Sequence, residues 1–403
     1  MRRVVITGAG SVNALAGDVP GTLAAMREGR SGIGPLEFAD AERLQIGIGG
    51  QVRGFDPGAH FASQKRALYD PFTQFALVAA REAMAMAGLR ALPGAPERWG
   101  CIMGTAGGGN ATVNEAFRAV FAEGRNRVHP FTVPRLMPNA ACSHIAMDWG
   151  VQGPSFTVST ACASSNHAIG LAFQMLRAGM ADGMVTGGSE SMLNFGGLKA
   201  WEGLRVMSPD ACRPFSRDRN GMVQGEGAGV FVLETLEGAQ ARGAPILAEI
   251  RGFAMSSDAG DIVMPSVDGA ARAIRGALDD AGLAPEEIGY INAHGTGTAA
   301  NDRSECLAIR QALGRAAERV AISSTKAMHG HLIGGTGAVE LLACLLALNE
   351  GVLAPTINYR DPDPECDLDV VPNVARRAEV GAVLSNAFAF GGLNAVLALS
   401  RPD

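Results

Sequence analysis

Residues 158–179 read VSTACASSNHAIGLAFQMLRAG, and residues 322–351 read ISSTKAMHGHLIGGTGAVELLACLLALNEG. Each stretch leaves a short β-type run, passes a Ser-Thr turn and enters an apolar segment rich in glycine and alanine, the pattern of a strand feeding a buried helix. Its appearance twice predicts two similar α/β halves, residues 1–250 and 251–403. Working outward, Val- and Ile-rich runs (RRVVIT, DGMVTGG, GVFVLE, AEIRGFAM, EIGYINAHG, RVAISSTK, AVLSNAF, NAVLALS) alternate with helical stretches at 72–88, 165–179, 268–282, 302–313 and 335–350. That alternation predicts a largely parallel α/β arrangement with no linker or low-complexity segment.

Composition narrows the function. The chain has 403 residues, 47% apolar, with 53 glycines, which suits a large core and tight loops. A net charge of -6 offers no basic footprint for nucleic acid. No uninterrupted apolar run reaches the roughly 20 residues of a membrane helix, and MRRVVITGAG lacks the apolar core of a signal peptide, so a cytoplasmic protein is expected. The seven cysteines (101, 142, 162, 212, 306, 344, 366) are scattered and never form a C-x-x-C pair, which argues against disulfides and structural zinc. Lysine is rare: Lys65, Lys199 and Lys326 are the only three among 34 lysines and arginines.

Two glycine-rich segments invite nucleotide readings and fail them. VVITGAGSVNALAG has Val12 and Ala14 where a dinucleotide fingerprint wants glycine, so it reads as an ordinary strand-helix turn. GTAGGGN, residues 104–110, lacks the Gly-Lys-Ser/Thr ending of a phosphate loop and reads as backbone close to a cavity or partner.

The chemistry centres on Cys162. A thiol opening a helix sits where unpaired amides and the helix dipole lower its pKa and favour a nucleophile; a small buried cysteine is the alternative, and local context leaves both open. His294 in NAHGTGT lies at a strand end in a turn that admits a ligand. Lys326 and His331 share STKAMHGH at another strand-helix junction, where a kept lysine beside a buried imidazole must orient or tune something. His329 and His167 read as bystanders. SNAFAFGGLNA, residues 385–395, reads as a glycine loop able to aim a backbone N–H at an oxyanion and to swing Phe388 or Phe390 across a cavity.

Together, STACASS, NAHGTGT, STKAMHGH and NAFAFGG resemble the motifs of the elongating β-ketoacyl-acyl carrier protein synthases of the thiolase superfamily. The resemblance covers essentially the whole chain, including RPFSRDRNGMVQGEGAGVFVLE and PTINYRDPDPECDLDVVPN. WEGLRVMSPDACRPFSRDRNGM and GTAANDRSE are most similar to the nodulation-factor and polyene ketosynthases. The resemblance implies a five-layered αβαβα thiolase fold and a dimer. It implies that Cys162 takes an acyl chain from acyl carrier protein, with the N–H groups of Cys162 and Phe390 as oxyanion hole beside Gly391. His294 and His331 would stabilise the enolate left when malonyl-carrier protein loses carbon dioxide. Lys326 would orient the histidines, balanced by Glu305 or Glu340, with Thr296 and Thr298 in support. No metal or organic cofactor is implied.

Departures from the family pattern carry expectations of their own. Ala106 and Thr132 replace bulkier acyl-pocket residues, Thr132 reaching across from a dimer partner, which favours a longer, bulkier or polyunsaturated chain. Ala389 and Leu393 replace a glycine and a threonine of the gating loop. Lys65, Arg66 and Arg205 are the candidate carrier-protein docking residues, although Ala67 and Leu68 stand where relatives are often basic. A thiolase would carry a second cysteine in the C-terminal loop, an initiating synthase would have asparagine for His331, and a chain-length factor would lack Cys162. A catalytic subunit paired with a chain-length-factor-like partner remains an alternative to a homodimer.

Overall fold

The computed structural model describes residues 1–402. Its main strands are β1 (Val4–Asn13), β2 (Trp99–Gly104), β3 (Ser155–Val158), β4 (Gly183–Glu190), β5 (Gly227–Thr235), β6 (Ala248–Ser257), β7 (Ile288–Asn292), β8 (Ala321–Ser323), β9 (Ala382–Ala389) and β10 (Leu393–Ser400). They form one sheet ordered β8-β7-β9-β10-β6-β1-β5-β4-β2-β3. Outward from the β1–β6 seam, each half places its first, fifth, fourth, second and third strands in the same order. The seam is short, pairing Val4, Val5 and Ile6 with Ile250, Glu249 and Ala248. The division expected at 250/251 falls within β6.

The helices used below are α1 (Pro71–Met86), α2 (Ala140–Trp149), α3 (Ser164–Arg177), α4 (Phe195–Gly203), α5 (Val267–Ala281), α6 (Ala299–Leu313) and α7 (Thr336–Glu350). Helices α1 and α2 cover the outer face of the first half, and α5 and α6 that of the second. Between the halves, α3 and α7 pack on each other and on strands of both, giving αβαβα layering. The sequences fit these places. Helix α5 is capped by Ser266, buries one face and ends at Gly282 in a left-handed conformation (φ 64°), as a helix on the outside must. Helix α7 is buried from Thr336 to Leu348, because it has protein on every side. The stretch Ile333–Glu350, with mean hydropathy 1.3, is long and apolar enough to cross a bilayer, yet it is 89% buried in this core.

Three expectations are corrected. The sheet is not largely parallel: β1 pairs antiparallel with both β5 and β6, as do β4 with β5, β6 with β10 and β9 with β10. The fifth strand of each half returns antiparallel between its neighbours, and a three-residue turn joins β9 to β10. Strands β2 (WGCIMG) and β3 (SFTV) escaped notice, the first because Ile102 is its only β-branched residue, the second because it is a four-residue edge strand. The GAG of β1 is no turn, for the strand runs through it to Asn13. A Cβ on Gly8 would lie 2.1 Å from Ala83 O and one on Gly10 1.8 Å from Ala79 O, so these glycines let β1 press against α1.

Candidate active site

Cys162 lies beyond the C-terminal end of β3 in the turn Ala161–Ala163 that opens α3. Ala161 holds a left-handed φ of 48°. Ser164 fixes this turn, its Oγ accepting from Thr160 N at 2.9 Å and donating to Ala161 O at 2.7 Å. The other half repeats the device, with Ile333 at φ 47° in the turn Ile333–Gly335 before α7. Residues 324–332, nine in all, there stand where the first half has only 159 and 160. Lys326 and His331 both belong to that longer connection.

The structure brings Cys162, His294 and His331 together. Cys162 Sγ is 3.1 Å from His331 Nε2, and the two imidazoles meet edge to face with centroids 5.5 Å apart. Lys326, fully buried, donates to Glu340 Oε1 at 2.7 Å and to His294 Nδ1 at 3.4 Å. An ammonium can only donate, so His294 Nδ1 accepts and the ring proton sits on Nε2. Glu340 therefore balances Lys326. Glu305, the other candidate, does different work: its carboxylate accepts from His294 N at 2.8 Å, Gly295 N at 2.7 Å and Asn386 Nδ2 at 3.2 Å, fixing the loop that carries His294.

Electrostatics correct one expectation. The Cys162 thiol is not acidified overall: burial pushes it up to about 11, while Lys326 and backbone hydrogen bonds from Phe390 and Cys162 pull it partly back. At neutral pH it rests as a thiol. Burial, followed by the Lys326 charge, holds His294 and His331 well below the usual histidine range, so both are neutral. The sulfur and ring nitrogens lie within 4.8 Å of one another, a spacing a metal ion could span, but the adjacent Lys326 ammonium opposes a cation there.

The glycine loop is shorter than expected. Residues 385–389 belong to β9, and only Phe390, Gly391 and Gly392 form the turn to β10. Gly391 and Gly392 take φ of 83° and 67°, and Gly391 N donates to Ile262 O at 2.8 Å. Phe390 stacks on Trp201 of α4, with centroids 6.0 Å apart and planes 25° apart. Phe388 is buried in β9, its ring 6.1 Å from His294.

A cavity of about 110 Å³ leads to Cys162, His294 and His331, lined also by Thr296, Thr298, Met264, Phe388, Phe390 and Trp201. Thr296 and Thr298 share a hydrogen bond at 2.9 Å. Ala106 is not part of this lining; it packs with Leu193, Leu198 and Trp201 in the apolar cluster around Cys162. Thr132 lies in a separate surface depression with Arg125, Arg127 and Arg135, outside the cavity of its own chain. Arg205 is exposed next to Val206 of the cavity wall, whereas Lys65 and Arg66 sit on the exposed helix Ser63–Arg66 and do not line it. His329 and His167 bond only to neighbouring protein groups.

Sequence reasoning missed Glu190, Trp201 and Thr336. Glu190, buried and pushed up to about 7 by that burial, accepts from Thr105 Oγ1, Ala106 N, Gly107 N and Gly334 N, and so ties GTAGGGN to the turn before α7. Its position at the end of β4 was the only signal. Thr336 opens α7 and places Oγ1 2.8 Å from His331 Nδ1.

Comparison with known proteins gives consistent findings. Residues 1–239 match the family model for the beta-ketoacyl synthase N-terminal domain, and residues 247–360 that for its C-terminal domain. The chain is 48% identical over 400 residues, 99% of each chain, to nodulation protein E of Rhizobium sp. (strain N33). It is 40% identical over 407 residues, 99% of this chain and 98% of the other, to 3-oxoacyl-[acyl-carrier-protein] synthase 2 of Staphylococcus aureus (strain COL). Among solved structures, the ishigamide ketosynthase/chain length factor superposes with a TM-score of 0.94 at 37% identity, covering all of both chains. A type II polyketide ketosynthase solved with its acyl-carrier protein superposes at 0.90 with 32% identity, again over all of both chains.

Proposed function

The chain belongs to the β-ketoacyl synthase family, as a condensing acyltransferase that elongates acyl chains, and from that premise we propose that Cys162, His294 and His331 carry the condensation. The observation that carries this reading is the thiol 3.1 Å from His331 Nε2, beside a second imidazole whose proton Lys326 fixes on Nε2.

Cys162 Sγ, 3.1 Å from His331 Nε2, attacks the carbonyl of an acyl-carrier protein thioester. The tetrahedral oxyanion meets the N–H groups of Cys162 and Phe390, which already point at the sulfur. Collapse expels the carrier sulfur, which takes the proton that the Cys162 thiol gives up, and leaves the acyl chain on Cys162. Malonyl-carrier protein then loses carbon dioxide, and the electron pair of the broken bond forms an enolate. Its oxygen accepts from Nε2–H of His294 and of His331. The enolate carbon attacks the acyl thioester, and Cys162 leaves as a thiolate that takes one proton from solvent, the proton that decarboxylative condensation consumes overall. Glu340 keeps the buried Lys326 charge paired; removing one partner of such a pair costs about 3–5 kcal/mol. Trp201 lines the cavity that would take the acyl chain, and the small Ala106 side chain, packed in the apolar cluster around Cys162 outside that lining, leaves room for a longer or bulkier substrate.

The partner is acyl carrier protein, docking near the exposed Arg205 beside the cavity wall, with the exposed Lys65 and Arg66 as further basic candidates. The dimer forms through the 117–156 region, where Phe117, Phe121, Phe131, Val133, Met147 and Phe156 are exposed and β3 ends the sheet. The solved ketosynthase/chain length factor relative favours a second reading, a heterodimer with a non-catalytic partner. All seven cysteines are free thiols, which supports a cytoplasmic site of action. Incubation with acyl-carrier protein should add the acyl mass to Cys162 and not to the Cys162→Ala variant. Carbon dioxide release from malonyl-carrier protein should collapse in His294→Ala; a variant that keeps full release removes the assigned role.

A further inference from the structure

The Phe390 amide assigned to the oxyanion hole stands in the least constrained part of the site. Ala389 still pairs with Leu393 between β9 and β10, so freedom is confined to Phe390, Gly391 and Gly392. The two glycines hold positive φ and add no stiffness of their own. They are tied to the segment 258–262: Gly391 N donates to Ile262 O at 2.8 Å, and Asp258 N to Gly392 O at 2.9 Å. The Phe390 side chain has a different partner, the Trp201 indole, with centroids 6.0 Å and planes 25° apart.

That partner is anchored at both ends of α4. At its start, Asn194 accepts from Gly197 N at 3.0 Å and donates to Asn110 Oδ1 at 2.8 Å. At its end, Glu202 Oε1 accepts from Gln45 N at 2.6 Å and Ile46 N at 3.0 Å, while Oε2 accepts from Lys199 Nζ at 2.7 Å. Lys199, one of the three lysines, thus completes the anchor beside Trp201. The stack joins a fixed ring to a movable one, and both rings line the cavity at Cys162.

We propose that Trp201 is a positioning residue for the condensation, its indole holding the Phe390 ring so that the adjoining amide faces Cys162. This rests on the catalytic reading of Cys162 and of the Phe390 amide above. In the stacked state Phe390 N–H points at the sulfur. When the ring leaves the indole, rotation within the glycine turn carries the amide with it, and the hole keeps only the N–H of Cys162. An offset stack of this geometry favours the closed turn by up to about tenfold.

Trp201→Leu removes one ring and keeps an apolar wall, Trp201→Phe keeps a ring, and Phe390→Leu removes the other ring while leaving the backbone N–H in place. In the full-length enzyme, the rate of Cys162 acylation by acyl-carrier protein should fall about three- to tenfold in Trp201→Leu and in Phe390→Leu, and stay within about twofold of wild type in Trp201→Phe. The double leucine variant should be no slower than the slower single, because both changes break one contact. A Trp201→Leu rate equal to wild type, no recovery with phenylalanine, or losses that multiply in the double variant each overturn the proposal, the last because an indole that only fills space acts independently of the Phe390 ring. Absence of any adduct on Cys162 in the wild type would instead overturn the catalytic reading beneath it.

Discussion

At the scale of single residues, the site works by burying charge-capable groups and choosing which of them stays charged. His331 remains neutral because burial and the nearby Lys326 ammonium hold it well below the usual histidine range. The consequence for stability has a definite sign. In the unfolded chain His331 takes up a proton as pH falls through about 6.5, and in the folded chain it does not. Folding therefore loses stability from this residue as pH falls below that value, by about 1.4 kcal/mol per pH unit. Denaturant unfolding between pH 6.5 and 5 should show a limb flatter by that amount in His331→Gln than in wild type; identical limbs would mean that the folded imidazole is protonated. The candidate residues that the structure brings together were legible in the sequence because three lysines in 403 residues make Lys326 conspicuous and the motifs resemble those of a known family. The resting state of Cys162 was not. Its helix N-terminal position suggested an acidic thiol, and desolvation, which depends on what other segments cover the sulfur, outweighs that local effect.

At the scale of elements, close approach decides what sequence patterns cannot. β1 reads locally as strand, glycine turn and helix, but its glycines serve packing on α1. Gly10→Ala would set a methyl 1.8 Å from Ala79 O, a backbone atom that cannot swing aside. The expected loss is about 3 kcal/mol or more, the upper end for overpacking, measurable as a lower thermal midpoint; an unchanged midpoint would show that α1 can retreat. The same reasoning explains why the repeat of 158–179 and 322–351 was legible but misregistered. Sequence matching set STACASS against STKAMHGH, whereas structurally the turn at Cys162 corresponds to Ile333–Gly335 and α3 to α7. Loop length is the cause: Lys326 and His331 occupy an extended connection that only one half possesses.

At the scale of the whole molecule, the ten-stranded sheet ends at β3, a short strand with Phe156 exposed. An open edge of this kind is ordinarily covered. Sedimentation should give a particle of twice the 41.6 kDa chain mass, and Phe156→Lys should shift it toward monomer; a monomeric wild type at micromolar concentration would remove the dimer. The two similar halves were legible from the repeated pattern, whereas the αβαβα layering was expected only from the family resemblance. The candidate docking residues divide in the structure, for Lys65 and Arg66 lie apart from the cavity lining and Arg205 sits next to Val206 of its wall.

The separation of the thiol from its histidine, 169 residues along the chain, has a consequence during synthesis. At about 5–20 residues per second, His331 leaves the ribosome roughly 8–34 seconds after Cys162, and the amide of Phe390 later still. On the catalytic reading proposed above, the nascent first half carries its nucleophile through that interval without either histidine, the Phe390 amide or the Lys326 charge. The chain would then acquire acyl-transfer chemistry only as its last strands close, so that an unfinished polypeptide does not trap fatty chains from the carrier pool.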